Sequence, residues 1–289
     1  MHRSPTVSTF SIVARDPETG DLAIATASKF LAVGAVVPYA LADVGAVATQ
    51  SHANTTFGPR TIDALMAGIP LGLIDEAFHA TDPEIAQRQY GLVDAQGDSI
   101  TFTGEGCHPW AGGIAKPDLA AQGNLLTGPE VVDALVAGFE EAAGAFPERL
   151  LAGLAAADAA GGDRRGRQSA ALLVVREYGG YGGLGDRYID LRVDDDPDPI
   201  GRLRALLELH RLLFERPDHD ELLAIEGEVA ARLLHLLRAA GEEPGDAWGE
   251  RAEASLRSLA GIENVEERMV DPGRIDPVVL RHLEERFGA

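Results

Sequence analysis

Strand-like segments in this chain arrive in runs, separated by pairs of helices, and that order limits the folds open to it. In residues 9–26 Phe10, Ile12 and Ala14 alternate with Ser11, Val13 and Arg15, a turn follows at residues 16–20, and residues 22–27 return, which predicts an opening hairpin. Residues 33–37 and 44–50 are short runs rich in Val and Ala, compatible with buried strands or their connections; periodicity alone does not separate the two. After Asn54 the pattern turns helical, with Pro59 near the first turn and Ile62, Leu65 and Met66 on one face, and a second helix is expected over residues 70–79. Residues 89–93 and 99–103 flank Asp94-Ala95-Gln96-Gly97-Asp98 as a second hairpin, and a glycine-bearing loop then leads to the run 119–124. Two further helices, over residues 129–143 and from Pro147 through Leu154, stop at Gly161-Gly162, and residues 170–175 and 188–193 read as strands.

Strands, two helices, strands, two helices, strands: this order fits two antiparallel sheets packed face to face with helices outside each, better than regular βαβ alternation. The expected class is α+β, a four-layer αββα sandwich. Beyond Asp194-Asp195-Asp196-Pro197-Asp198-Pro199 glycine thins out and helical periodicity continues through residues 203–214, 222–237 and 248–259, with a short closing helix. A main domain over residues 8–198 and a small helical module over 199–289 are expected, with the acidic run as a solvated hinge.

Composition removes several function classes. The net charge of -21 opposes capture of nucleic acid, which needs clustered Lys and Arg. No apolar run reaches the roughly 18 residues of a membrane span, and Met1-His2-Arg3-Ser4-Pro5 lacks the apolar core of a signal peptide, so a cytoplasmic protein without a membrane partner is expected. The single cysteine, Cys107, excludes an internal disulfide and a multi-cysteine zinc site, and the histidines lack ligand spacing; no metal or cofactor is expected. Cys107 and His108 are neighbours on an extended chain and point to opposite sides, so Cys107 reads as a packed residue near Trp110 rather than a catalytic thiolate.

Two segments carry chemistry. Thr9 opens a strand, and if it became the first residue it would hold a nucleophilic hydroxyl beside an α-amine whose ordinary pKa is about 7.7–8.0, a self-contained nucleophile and base. The block Asp163, Arg164, Arg165, Arg167, Gln168, Ser169 sets three guanidinium groups, a carboxylate and a hydroxyl at the entrance of a strand, a composition suited to binding a carboxylate.

Thr9-Phe10-Ser11-Ile12, Lys29-Phe30-Leu31-Ala32-Val33-Gly34, Gly45-Ala46-Val47-Ala48-Thr49-Gln50, Cys107-His108-Pro109-Trp110-Ala111-Gly112, Gln122-Gly123-Asn124 and the 163–171 block, in that order, resemble the family known as domain of unknown function 1028, over most of residues 8–198. That family is placed among the N-terminal nucleophile (Ntn) hydrolases. The resemblance implies an αββα sandwich and an amidohydrolase acting on a small, anionic amide-type substrate: Thr9 Oγ attacks the carbonyl, the freed α-amine serves as base and then acid, and water resolves the acyl-enzyme. Asn124 and Asn54 become candidate oxyanion donors. Asp163 and Arg164 become site residues, Ser169 a partner for the Thr9 amine, Lys29 a charge that lowers the amine pKa, and Gln50 a substrate contact. Eight residues precede Thr9, so its nitrogen is a non-basic amide until the Ser8–Thr9 bond is cut. The other reading is a non-catalytic ligand-binding or assembly protein with a blocked terminus on the same scaffold. The tail segments 261–268 and 273–277 are similar to a C-terminal module labelled peptidoglycan-binding, which implies a peptidoglycan fragment as ligand. Set against a cytoplasmic location, the tail is read first as a packing or oligomerisation element of a homo-oligomer.

Overall fold

The computed structural model describes residues 6–288; Met1–Pro5, the segment lacking a signal-peptide core, lie outside the described residues. The chain divides into two compact units, Met1–Leu206 and Leu207–Ala289. It is a mixed α/β protein with antiparallel sheets and, among the described residues, eight α-helices.

The first unit contains two larger sheets. One has six strands, β1 (Thr9–Arg15), β2 (Leu22–Ser28), β7 (Gly112–Lys116), β8 (Leu119–Gly123), β9 (Ser169–Val175) and β10 (Arg187–Val193), in the order β10-β9-β2-β1-β8-β7. The other has four, β3 (Pro38–Leu41), β4 (Gly45–Ser51), β5 (Arg88–Asp94) and β6 (Ser99–Thr103), in sequence order. Every pairing within them is antiparallel. Both expected hairpins form. Residues 33–37 are no strand: Val33–Ala35 makes a single 3-10 turn, and the extended segment starts at Pro38. Strand β7 has no counterpart among the sequence-based expectations, because its opening Gly112-Gly113 removes the alternation that marks a strand, and it lies at a sheet edge where only one neighbour must be satisfied.

Alternation along β1 sorts its two faces. Val13, with Leu22, Ile24, Leu173 and Val175 of the same sheet, packs in one buried cluster with Ala46, Ala48 and Val93 of the four-stranded sheet. Val47, Tyr90 and Leu92 face the other way and pack with Phe57 of α1 (Phe57–Met66) and Leu71, Ile74 and Phe78 of α2 (Leu71–Thr81). The rings of Phe57 and Phe78 stack at 3.9 Å, and Tyr90 meets both edge-on. Helices α3 (Glu130–Glu141) and α4 (Phe146–Ala159) pack on each other and on β1, β2 and β8.

The α3–α4 approach is close because it is backbone to backbone. A Cβ added at Gly153 would lie 2.7 Å from Leu135 O, and the helix cannot yield there without moving its partner. Gly153→Ala is expected to destabilise the first unit by about 1–3 kcal/mol, the range for overpacked interiors, despite the better helix propensity of alanine; a urea midpoint at or above that of the parent would contradict it.

The second unit is a helical cluster. Helix α5 (Pro199–Phe214) carries residues of both units; α6 (Gly227–Ala239), α7 (Glu250–Ile262) and α8 (Pro277–Phe287) bury Leu233, Leu237, Leu256, Leu259, Val279 and Leu283 together. Arg268 is 5% exposed, pairs with Asp276 and donates to the carbonyls of Leu212 and Arg211. Asp276 also caps α8, accepting from Val278 N at 2.8 Å ahead of Pro277. Residues that stood out in the tail motifs therefore hold this unit together. Among the described residues no helix is long and apolar enough to cross a membrane.

Candidate functional site

Antiparallel register brings the sequence-predicted Thr9, Asn124 and Ser169 to one end of the six-stranded sheet. Thr9 pairs with Ser28 and Ser28 with Ser169. Asn124, one residue beyond β8, donates its N–H to Thr9 O at 3.0 Å, so Asn124, Thr9, Ser28 and Ser169 form one cross-strand row. All four are essentially inaccessible, between 0 and 2% exposed. By the parity of β1, Thr9 faces the same way as Ser11 and Val13, toward the four-stranded sheet.

Behind this row lies a buried amide network that joins the two sheets. Gln50 Nε2 donates to Thr9 O at 3.1 Å and to Gln89 Oε1 at 2.8 Å, while its Oε1 accepts from Ser11 Oγ at 2.5 Å. Gln122 Nε2 donates to Ser11 Oγ at 2.8 Å. Gln89 Nε2 reaches Gly123 O at 2.7 Å and Thr103 Oγ1 at 2.8 Å. Asn124 Nδ2 donates to Gln89 Oε1 at 2.9 Å, and Asn124 Oδ1 is buried with no partner among the described residues. Gly91 leaves the room: a Cβ there would stand 2.8 Å from the Gln122 amide carbon. Polar groups so removed from water persist only when their bonds are made, and here they fix the Thr9 backbone.

In front of the row the chain preceding Thr9 is built into the fold. Val7 exchanges both main-chain bonds with Ser51, at 2.8 and 2.9 Å, and is 4% exposed. Thr9 Oγ1 donates to Val7 O at 3.1 Å. The Ser8 carbonyl oxygen accepts from Ser28 Oγ at 2.5 Å and from an Arg165 guanidinium nitrogen at 3.0 Å. Ser51 and Leu125, on either side of this site, are non-glycine residues with φ of 65° and 55°. Such backbone strain is held only where surrounding structure enforces it.

Asp163 anchors the basic block. Its carboxylate, with the side chain 1% exposed, accepts from Lys29 N at 3.0 Å, from Arg165 N at 2.9 Å, and twice from the Arg165 side chain at 3.1 and 2.7 Å. Arg165, not Arg164, is thus the guanidinium at the site. An aspartate readily bonds the backbone two residues on, and that turn folds Arg165 back while sending Arg164 outward to Leu126 O. The Lys29 ammonium reaches Arg167 O at 3.1 Å. Ser169 Oγ donates to Phe30 O and accepts from Val33 N, so it fixes the loop after β2 and makes no bond to Thr9. The residues that sequence reasoning passes over are Ser28, Ser51 and Gln89, while Arg165 stands there only as one member of the basic block; for Gln89 the available signal is an amide side chain beside Tyr90 at the start of a strand.

Beside the row opens a cleft of about 640 Å³, lined by Thr6, Ser8, Lys29, His108, Arg165 and Gln168 with apolar Phe30, Leu31 and Leu125. It offers cationic groups and no carboxylate on a chain with 46 acidic residues. Cys107 lies apart, 8% exposed, with Sγ 3.3 Å from Arg88 O. Burial pushes its pKa up against the opposing effects of the Ser51 hydroxyl and Gly104 N–H, which keeps it a neutral thiol.

Asn54 belongs to another cluster. It bonds Asp82 at 2.8 Å and accepts from Thr56 N and Oγ1, ordering the turn into α1. Arg88 also bonds Asp82, at 2.9 Å. Burial alone would raise the Asp82 pKa, but bonds from Arg88, Asn54 and Glu84 N, with the Arg88 charge, outweigh it and hold Asp82 below the ordinary 3.8. Its folded-state pKa being depressed, the stabilisation is complete above about pH 4 and is lost as pH falls through the lowered value. Unfolding free energy should therefore decline on acidification below pH 4, and Asp82→Asn should shallow that acid limb; an unchanged slope in the variant would refute the assignment.

Residues 9–203 match the profile described as "Family of unknown function (DUF1028)", and residues 213–283 match one described as "Putative peptidoglycan binding domain". The crystal structure of protein SPO2555 from Silicibacter pomeroyi, of the DUF1028 family, is similar at 30% identity and a TM-score of 0.64, over 78% of this chain and 92% of that one. No curated protein matches the chain.

Proposed function

The chain belongs to DUF1028, a family of unknown function, and from that premise we propose that it is an Ntn-type amidohydrolase whose Thr9 nucleophile is masked until the Ser8–Thr9 bond breaks. On this reading the two sheets and their helix pairs are a four-layer αββα sandwich, and the protein works in the cytoplasm on a small amide-type substrate.

The observation that carries the reading is the setting of the Ser8 carbonyl. Its oxygen already has two donors, Ser28 Oγ and Arg165, the arrangement that stabilises an oxyanion as attack proceeds. Its carbon is separated from Thr9 Oγ only by Thr9 N, Cα and Cβ. In the unmasking step Thr9 Oγ bonds to that carbon, the Ser8 C–Thr9 N bond breaks, and the hydroxyl proton goes to the departing nitrogen. Water then hydrolyses the ester, leaving a Ser8 carboxylate and a free Thr9. In turnover the Thr9 amine takes the hydroxyl proton as Oγ attacks the substrate carbonyl and passes it to the leaving amine, and water cleaves the acyl-Thr9 ester.

The intact chain favours one competing reading. Thr9 is 0% exposed and its nitrogen is acylated, so in this state the scaffold can bind or assemble but cannot hydrolyse. Intact mass of the purified protein tests the two. A mass beginning at Thr9 supports the hydrolase; a stable mass retaining residues before Thr9, with no turnover of any amide, would leave the binding protein.

A further inference from the structure

We propose that the place now held by Thr6–Ser8 is a ligand subsite for a short, extended peptide acid with a small C-terminal residue, and that it receives the acyl half of the substrate. The inference rests on Thr9 being the nucleophile, since it treats the preceding segment as lying where an acyl chain must lie to present its carbonyl to Oγ.

Three features would be left without partners by removing that segment. The first is the main chain of Ser51. Both its N–H and its C=O are bonded to Val7, and its left-handed conformation (φ 65°) turns them to that one neighbour. A vacated strand position of this kind recognises extended backbone by main-chain pairing. The second is the pair of donors on the Ser8 oxygen. Ser28 Oγ and Arg165 would face a carboxylate, and Arg165 is preset for that by its two side-chain bonds to the buried Asp163. The third is shape. Ser8 and Val7 are 0% and 4% exposed, so the two niches fit one small residue and one compact apolar residue. The Ser8 hydroxyl is buried and has no partner among the described residues, so the first niche selects by size and Ala or Gly would enter as readily as Ser. Thr6 lines the cleft together with Lys29 and His108, which lets a longer or anionic ligand extend outward past cationic groups.

The chemical class is therefore a peptide-like or N-acyl-amino acid chain ending in a small residue, bound as the free acid and cleaved as the corresponding amide. The ligand, rather than the protein, carries the decisive variants. The test uses the full chain, cut before residue 9 by a site-specific protease only after folding, so that the domain forms with its leading segment in place, and circular dichroism and thermal melting check the fold once that segment is removed. Acetyl-Thr-Val-Ser acid is titrated calorimetrically, in a Thr9→Ala background that turns over no amide, beside its analogue N-methylated at valine and its C-terminal amide. The acid is expected to bind, and either change should weaken it about tenfold or more, because each removes a partner from a buried or charged group. Arg165→Gln should erase the difference between acid and amide while leaving the N-methyl penalty intact. Equal affinity of the parent and N-methyl peptides, or no binding by a folded chain at millimolar peptide, would overturn the proposal. Binding with this pattern but no amide hydrolysis by the Thr9 chain would keep the subsite and remove the hydrolase reading. Hydrolysis of amides by the Thr9 chain with no discrimination among the three ligands would do the reverse.

Discussion

Thr9→Ala is expected to leave a folded protein that retains the bond after Ser8 and hydrolyses no amide. Loss of a covalent nucleophile should lower kcat by at least about 10⁴-fold, since what is left is only binding and oxyanion stabilisation. The fold should survive because the hydroxyl makes one bond, to Val7 O, and that carbonyl keeps its second donor, Ser51 N. The stability cost should not exceed about 1–1.5 kcal/mol, the net worth of one neutral hydrogen bond. Thr9→Ser supplies the control: it retains a hydroxyl and should restore both cleavage and an acyl adduct. Mass spectrometry and turnover measured on all three forms decide the matter. Turnover in Thr9→Ala equal to the parent would end the mechanism outright.

Asp163→Ala should destabilise the first unit and, with it, slow unmasking. The carboxylate receives four bonds, two from backbone N–H groups and two from Arg165. Removing it leaves those donors facing a cavity and frees a guanidinium beside the Ser8 oxygen. Breaking a fully buried pair costs about 3–5 kcal/mol. Here Arg165 is 35% exposed and water can reach it, so roughly 2–3 kcal/mol is the better expectation. Asp163→Asn, which still accepts from backbone but lacks the charge, should fall between. Urea midpoints for the three chains, with the rate of Ser8–Thr9 cleavage in each, test the pair of effects together. Full stability with normal cleavage in Asp163→Ala would mean that the carboxylate merely decorates a loop.

The difference between Arg164 and Arg165 marks how far the sequence can be read. That a strand-opening threonine, an asparagine after Gly123 and a serine at residue 169 belong together is legible through the family resemblance, and the structure supplies the antiparallel register that aligns their strand ends. Which arginine faces that site is not. It depends on the Asp163 carboxylate closing on the amide two residues later, a local geometry with which three neighbouring arginines are equally compatible in one dimension. Asn54 misleads for a related reason: asparagine as a donor and asparagine as a turn former look alike until the helix it introduces, α1, is placed. The buried glutamines are hidden for an opposite reason. Gln50 and Gln89 are cross-strand neighbours in one sheet and Gln122 lies in the other, so their remaining bonds, Gln50 with Thr9 O and Ser11, Gln89 with Gly123 O and Gln122 with Thr101, exist only once the two sheets meet. Strand β7 is unreadable because its glycines carry no pattern at all.

The surroundings of the Ser8–Thr9 bond have a further consequence for how such a protein is made. They draw on Ser28 from β2, Ser51 from β4, Asn124 after β8 and Arg165 ahead of β9. No chain that stops short of Arg165 assembles them, and that residue enters only when more than half the polypeptide is in place. If Thr9 is the nucleophile, its release thus acts as quality control: a nascent chain still short of Arg165 or a misassembled one stays inert, and a reactive threonine is born only inside an assembled first unit.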